Sequence, residues 1–184
     1  MNTILLDATD TRYPARLRER LGANAPGQLS ALGNLDLLAL PKTALFCSAR
    51  CPGDAILRAY DQAAKWRDAG RCVISGFHSP VDKECFCILL RGSQPIIICP
   101  ARTLPKRVPA GWKKPLADGR LLSLSCFRPE ESRPTTKLAS RRNKLVAALA
   151  DEVFIIHATP GGHIALLSEQ FQQWGVRVVR VVGG

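Results

Sequence analysis

The 184-residue chain is long enough for one domain, and its 46% apolar content suffices for a buried core, which excludes wholesale disorder. Its formal charge of +11 is segregated: twelve Lys/Arg against three Asp/Glu fall between Ala101 and Lys144, so nine of the eleven charges sit there. No apolar run approaches the ~20 residues of a membrane span, and the opening MNTILLDATDTRYP is acidic where a signal peptide is basic; the expectation is a soluble, cytoplasmic protein with no membrane partner.

Residues 1–40 read as a lead-in packed on the core, broken by Tyr13-Pro14, Pro26 and Gly33-Asn34, with a helical stretch at Ala15–Leu21. From residue 41 to 184, short apolar runs alternate with segments of helical period. Ala44–Cys47 predicts a strand, and Asp54–Ala69 a helix stopped by Gly70. Cys72–Ser75 is a second strand, Val81–Leu90 a second helix, Pro95–Cys99 a third strand and Leu121–Ser125 a candidate fourth. The prolines between residues 101 and 135 predict loop or short helix. Thr136–Ala150 is a helix, Val153–His157 a strand, Ile164–Trp174 a helix and Val176–Val182 a final strand. Near-continuous apolar strands separated by helices of this length predict a doubly wound, mainly parallel, Rossmann-like sheet in a three-layer α/β/α arrangement.

Such sheets bind ligands at the carboxyl ends of their strands, which points to the loops 48–53, 76–82, 100–106 and 158–163. The turn Thr159-Pro160-Gly161-Gly162 opens a helix, where backbone N–H groups and the helix dipole suit a phosphate; Gly161 and Gly162 are candidate contacts. Neither a dinucleotide fingerprint nor a P-loop is present. In the second loop, Ser75 and Gly76 are candidates, and Asp82 divides evenly between a ribose contact and a helix cap. In Arg141-Arg142-Asn143-Lys144, Arg142 and Lys144 are candidates for phosphates and Asn143 for a base or sugar. Trp112 and Phe127 stand in the same basic region and divide between base stacking and the core. His78, His157 and His163 have no evident nucleophilic partner, so no catalytic residue is assigned. The seven cysteines lack zinc spacing and lie mostly in apolar runs, which favours buried thiols over a metal or a disulfide framework. No cofactor is expected.

Taken in order, these segments resemble the Rossmann domain of the DNA-processing protein A (DprA/Smf) family, within the wider DprA/LOG superfamily. Tyr13-Pro14, Leu17, Pro26, Leu29 and Gly33-Asn34 resemble its YP-x-x-L and P-x-x-L-x-x-x-G-N segments. Arg50 and Pro52 match its G-[ST]-R-x-P loop; Ser75, Gly76 and Asp82 match S-G-x-A-x-G-I-D; Arg142-Asn143-Lys144-Leu145-Val146 resembles R-N-R-I-I. Ser48, His78, Pro80 and His157 depart from the family's Gly, Ala, Gly and Glu. The resemblance implies a non-enzymatic binder of single-stranded DNA, with a RecA-type recombinase and a second copy of the chain as partners. It also implies that Arg50, Arg142 and Lys144 hold the backbone while Ser75, Gly76 and Asn143 shape the pocket. The alternative is a nucleotide-binding or nucleotide-sensing domain: Pro160-Gly161-Gly162 is similar to the P-G-G-x-G-T-x-x-E of the LOG phosphoribohydrolases. There Ser168 replaces the catalytic Glu, and Glu169 comes one residue late, a rotation of about 100° on a helix, so glycosidic hydrolysis is not expected.

Overall fold

A computed structural model of the chain describes residues 2–180. Its strands are β1 (Ile4–Asp7), β2 (Gln28–Gly33), β3 (Lys42–Cys47), β4 (Cys72–Ser75), β5 (Ile96–Ile98), β6 (Leu121–Ser125), β7 (Glu152–His157) and β8 (Arg177–Arg180). They form one sheet in the order β1-β2-β6-β5-β4-β3-β7-β8. All neighbours from β6 to β8 pair in parallel, whereas β2 runs antiparallel to both β1 and β6. The helices are α1 (Ala15–Leu21), α2 (Gly53–Asp68), α3 (Pro80–Leu90), α4 (Ala110–Ala117), α5 (Thr136–Leu149) and α6 (His163–Gln173). Among the described residues no helix is long and apolar enough to cross a membrane.

The three layers follow from the side-chain period of the strands. Along β3, Ala44 and Phe46 enter one core with Leu17 of α1, Leu145 of α5 and Phe171 of α6. Leu45 and Cys47 point the other way, among Ala59 and Trp66 of α2, Cys85 of α3 and Leu116 of α4. Both faces are covered, so both must be apolar, which is why these strands read as unbroken apolar runs. In α2 the buried residues are Ala55, Ala59, Ala63 and Trp66, one stripe at helical spacing whose small alanines let α3 pack close.

The chain winds outward from β3 through β4, β5 and β6, then crosses back to lay β7 on the other side of β3. The switch of direction therefore falls between β3 and β7. The expected strands and helices from residue 44 onward are present, β4 and β6 with the expected ends; of the predicted strand 176–182, residues 177–180 are observed and 181–182 lie outside the described residues. The lead-in holds two strands that the sequence pattern did not announce. They are short, β2 follows directly on Pro26-Gly27, and β1 has one buried residue in four. Where β2 meets β6, Gly33 adopts φ +114, and a Cβ there would overlap the Leu121 carbonyl oxygen; only glycine closes this antiparallel junction. In α4, Pro115 removes a hydrogen bond to Gly111, tolerated because Gly111 is exposed to water.

Candidate nucleic-acid interface

At the carboxyl ends of β3, β4 and β7, with α5 behind them, lies a cavity of about 380 Å³. It occupies the switch point, where open α/β sheets bind ligands. Arg50, Ser75, Gly76, Asp82, Arg142, Asn143 and Gly162 all line it, together with Ser48, His78, Ser79, Thr159 and His163. Residues from four separate stretches of the chain thus converge.

Arg142 is the centre of the arrangement. It is only 6% exposed, although its charge has no carboxylate within salt-bridge distance among the described residues. Its Nη1 donates to the Cys99 carbonyl at 3.2 Å and its Nε to Asn143 Oδ1 at 2.7 Å. The guanidinium lies across Gly76: a Cβ at that position would coincide with Nη1. Gly76 is therefore glycine to admit the arginine. Burial lowers the Arg142 pKa, a shift opposed by the nearby Asp82 carboxylate. Arginine stays charged even so, leaving a desolvated cation on the cavity wall, and Nη2 has no acceptor among the described residues. Asn143 contributes its oxygen to holding Arg142, so its amide nitrogen is the group left to face a ligand.

The other side chains divide between structure and cavity. Ser75 Oγ donates to the Leu45 carbonyl at 2.8 Å and accepts from Phe77 N, tying the end of β4 to β3. Phe77 holds the left-handed conformation at φ +44, and its buried ring packs on Phe86 with centroids 4.6 Å apart. Asp82 is a helix cap: Ser79 Oγ accepts from Asp82 N while Asp82 Oδ2 accepts from Ser79 N. Its Oδ1 is buried with no hydrogen-bond partner among the described residues. Burial pushes this carboxyl up to about 6, against the pull of Ser79 and Arg142. The N-terminus of α3 is thus closed by its own capping box, whereas α6 begins at Gly162 with no side-chain cap. The first N–H groups of α6 are the ones left open to an anion. Burial and the positive Arg142 lower the pKa of His78.

Ser48 has a role the sequence did not signal. Its Oγ accepts from Thr159 N at 3.1 Å, and its own N donates to the His157 carbonyl, clamping the first and last loops together. These partners are over a hundred residues away, so no local pattern could have shown the link. Arg50 is exposed at the rim without an ion-pair partner among the described residues. Two expected residues lie elsewhere. Lys144 faces a separate groove with Arg141 and Leu145, and Gly161 is an exposed turn residue at φ +67 outside the cavity lining. The helical period explains the first: residues 142 and 144 are about 200° apart around α5. Trp112 packs with Phe86, and Phe127 is buried against Leu138, so both belong to the core. Ser168, where LOG proteins carry a glutamate, is buried and donates to the Ala165 carbonyl, while Glu169 is exposed.

A doubly wound, mostly parallel sheet between two layers of helices, with a cavity at its switch point, defines a Rossmann-type α/β protein. The chain matches the family model described as DNA recombination-mediator protein A over residues 4–168 and belongs to that family. It is similar to the solved DNA processing protein A of Streptococcus pneumoniae, with TM-score 0.81 and 23% identity; the match covers all of this chain and 64% of the pneumococcal one. It is also similar to DNA processing protein A of Helicobacter pylori, with TM-score 0.77 and 20% identity over all of this chain and 82% of the other, a protein described by its single-stranded DNA binding mode. The molybdenum cofactor carrier protein of Chlamydomonas reinhardtii shares the fold more distantly, with TM-score 0.51 and 12% identity over 76% of this chain and 75% of the other. No curated protein sequence matches the chain.

Proposed function

We propose that the chain binds single-stranded DNA, or another single-stranded nucleic acid, through the switch-point cavity, without breaking a bond, in the course of DNA processing and recombination. The observation that carries this reading is Arg142, a buried cation held on the cavity wall by Cys99 and Asn143, with Nη2 unengaged among the described residues. A desolvated guanidinium forms charge-assisted hydrogen bonds to phosphate oxygens that are stronger than those of an exposed one. Arg50 at the rim and the open N-terminus of α6 add positive potential. Ser75, Gly76 and Asn143 give the cavity its shape. Family membership and the single-stranded DNA binding of the Helicobacter pylori relative support the same reading. A RecA-type recombinase that receives the strand, and a second copy of the chain, are the partners this reading implies.

The test is fluorescence anisotropy with a labelled single-stranded oligonucleotide. Affinity should fall steeply with salt, log K against log salt having a slope of about −0.7 per phosphate neutralised. Arg142→Ala should weaken binding by roughly tenfold to a hundredfold, the worth of one charge-assisted hydrogen bond. Absent or salt-independent binding would sink the reading. Thermal stabilisation by a mononucleotide, with none by oligonucleotides, would replace it with nucleotide sensing.

A further inference from the structure

Helix α5 divides its basic run between two faces. Arg142 and Asn143 line the cavity, whereas Arg141 and Lys144 face the loop that follows β6. There two adjoining hollows, of about 450 and 230 Å³, share Pro26, Cys126 and Arg141 and form one groove. Arg128 stands at one end and Lys144 at the other. Arg141 is fixed between them: its guanidinium sits 5.0 Å over the Phe127 ring and bonds Glu131 Oε1 at 2.6 Å. Glu131 is thereby occupied, and its Oε2 accepts from Arg128 N. Glu130 is the other carboxylate beside Arg128 and Arg141.

The loop after β5 joins this groove to the cavity. Thr103 lines the groove and its N donates to the Glu131 carbonyl at 3.0 Å. Its neighbour Arg102 accepts Ser125 Oγ on its carbonyl at 2.8 Å, which pins the loop to β6. The Arg102 side chain is exposed on this loop, three residues after Cys99, whose carbonyl accepts from Arg142. Positive charge thus runs from the buried Arg142 on the cavity wall along this loop at Arg102 to Arg128, Arg141 and Lys144 on the groove.

We propose that the groove bounded by Arg128, Arg141 and Lys144 is a second phosphate-backbone subsite, joined to the cavity through Arg102, so that the chain holds an extended single strand. This inference rests on the reading of the cavity as a nucleic-acid site. It assigns Lys144 a task apart from Arg142: the two contact different stretches of one strand. The groove contributes mainly point charges and one fixed guanidinium, so it should be indifferent to sequence.

The experiment compares oligothymidylates of about four and about twenty nucleotides, lengths near the bottom of and beyond the usual single-domain site size. Arg102→Ala/Arg128→Ala, two exposed positions, should leave the short oligonucleotide's affinity within about twofold. It should weaken the long one by about tenfold and reduce the magnitude of its salt slope by ~1.4, two phosphates' worth. Lys144→Gln should act in the same direction by about half as much in slope. Arg142→Ala should weaken both lengths. Unchanged affinity and slope for the long oligonucleotide, or equal losses for both lengths, would overturn the second subsite while leaving the cavity reading intact. If neither length binds the unaltered protein, both fall together.

Discussion

A cation buried beside a glycine makes a sharp demand on that glycine. Arg142 occupies the space a Gly76 side chain would need, so Gly76→Ala must expel the guanidinium. Its oligonucleotide affinity should then fall as far as that of Arg142→Ala, and the double variant should be no worse than either single one, a coupling that a double-mutant cycle reads directly. Additive losses would mean that Gly76 acts by another route. Asp82 gives a second prediction at this scale. Burial moves its carboxyl from an ordinary 3.8 up to about 6. The folded state therefore binds this proton more tightly than the unfolded one. The resulting stability is full below about pH 4 and is lost as pH rises through about 6, a change on the order of 3 kcal/mol. Asp82→Asn keeps an oxygen to accept from Ser79 N and removes the charge. The variant should flatten the stability profile between those pH values and be the more stable protein near neutrality, measured by urea unfolding. An unchanged profile would show that Arg142 already neutralises the buried carboxylate.

Among the elements, what the sequence made legible was whatever is buried on two sides. The apolar runs of β3, β4, β5 and β7 and the helical stripes of α2 and α5 announce themselves because each must face a core. Strands β1 and β2 escape that logic: they are short, β1 lies at the sheet edge, and β2 joins the rest of the sheet only through β6, some ninety residues later. Of the proposed site, the structure brings Arg50, Ser75, Gly76, Asp82, Arg142, Asn143 and Gly162, picked from strand-end loops and a helix motif, to the lining of one cavity. What most of them do was not legible. Gly76 as room for a guanidinium and Ser48 as a clamp depend on partners far away in sequence, whereas the Asp82 cap, whose partner Ser79 is three residues away, was one of the two roles its position offered. The β2–β6 junction offers a test of the least legible part. Gly33→Ala places a Cβ on the Leu121 carbonyl and forces alanine to φ +114. Destabilisation on the order of 3 kcal/mol is expected, seen as a lower melting temperature. The junction lies at the end of the sheet opposite the cavity, so at low temperature the folded variant should bind oligonucleotide as the parent does. Lost affinity without lost stability would show the two ends to be coupled.

On the scale of the whole molecule, the charge does two separable things. Most of the excess cations between Ala101 and Lys144 are exposed, among them Lys106 and Arg107, which make no ion pair among the described residues. Charges in water act over a Debye length, about 10 Å at 0.1 M salt, so under the proposed function they would raise the rate at which a polyanion arrives rather than the time it stays. Arg142 is the opposite case: buried and fixed, it is little screened, and in the proposed binding mode it would act only once a phosphate is seated. Lys106→Gln/Arg107→Gln should therefore slow association severalfold at low salt while leaving dissociation unchanged, and the difference should vanish near ~1 M salt, where the Debye length shrinks to about 3 Å. Arg142→Ala should instead speed dissociation and alter association little. Stopped-flow measurements across a salt series separate the two. If the Lys106/Arg107 variant changed dissociation instead, those residues would be contacting the strand, and its path over the surface would extend beyond Arg102 along the loop that follows β5.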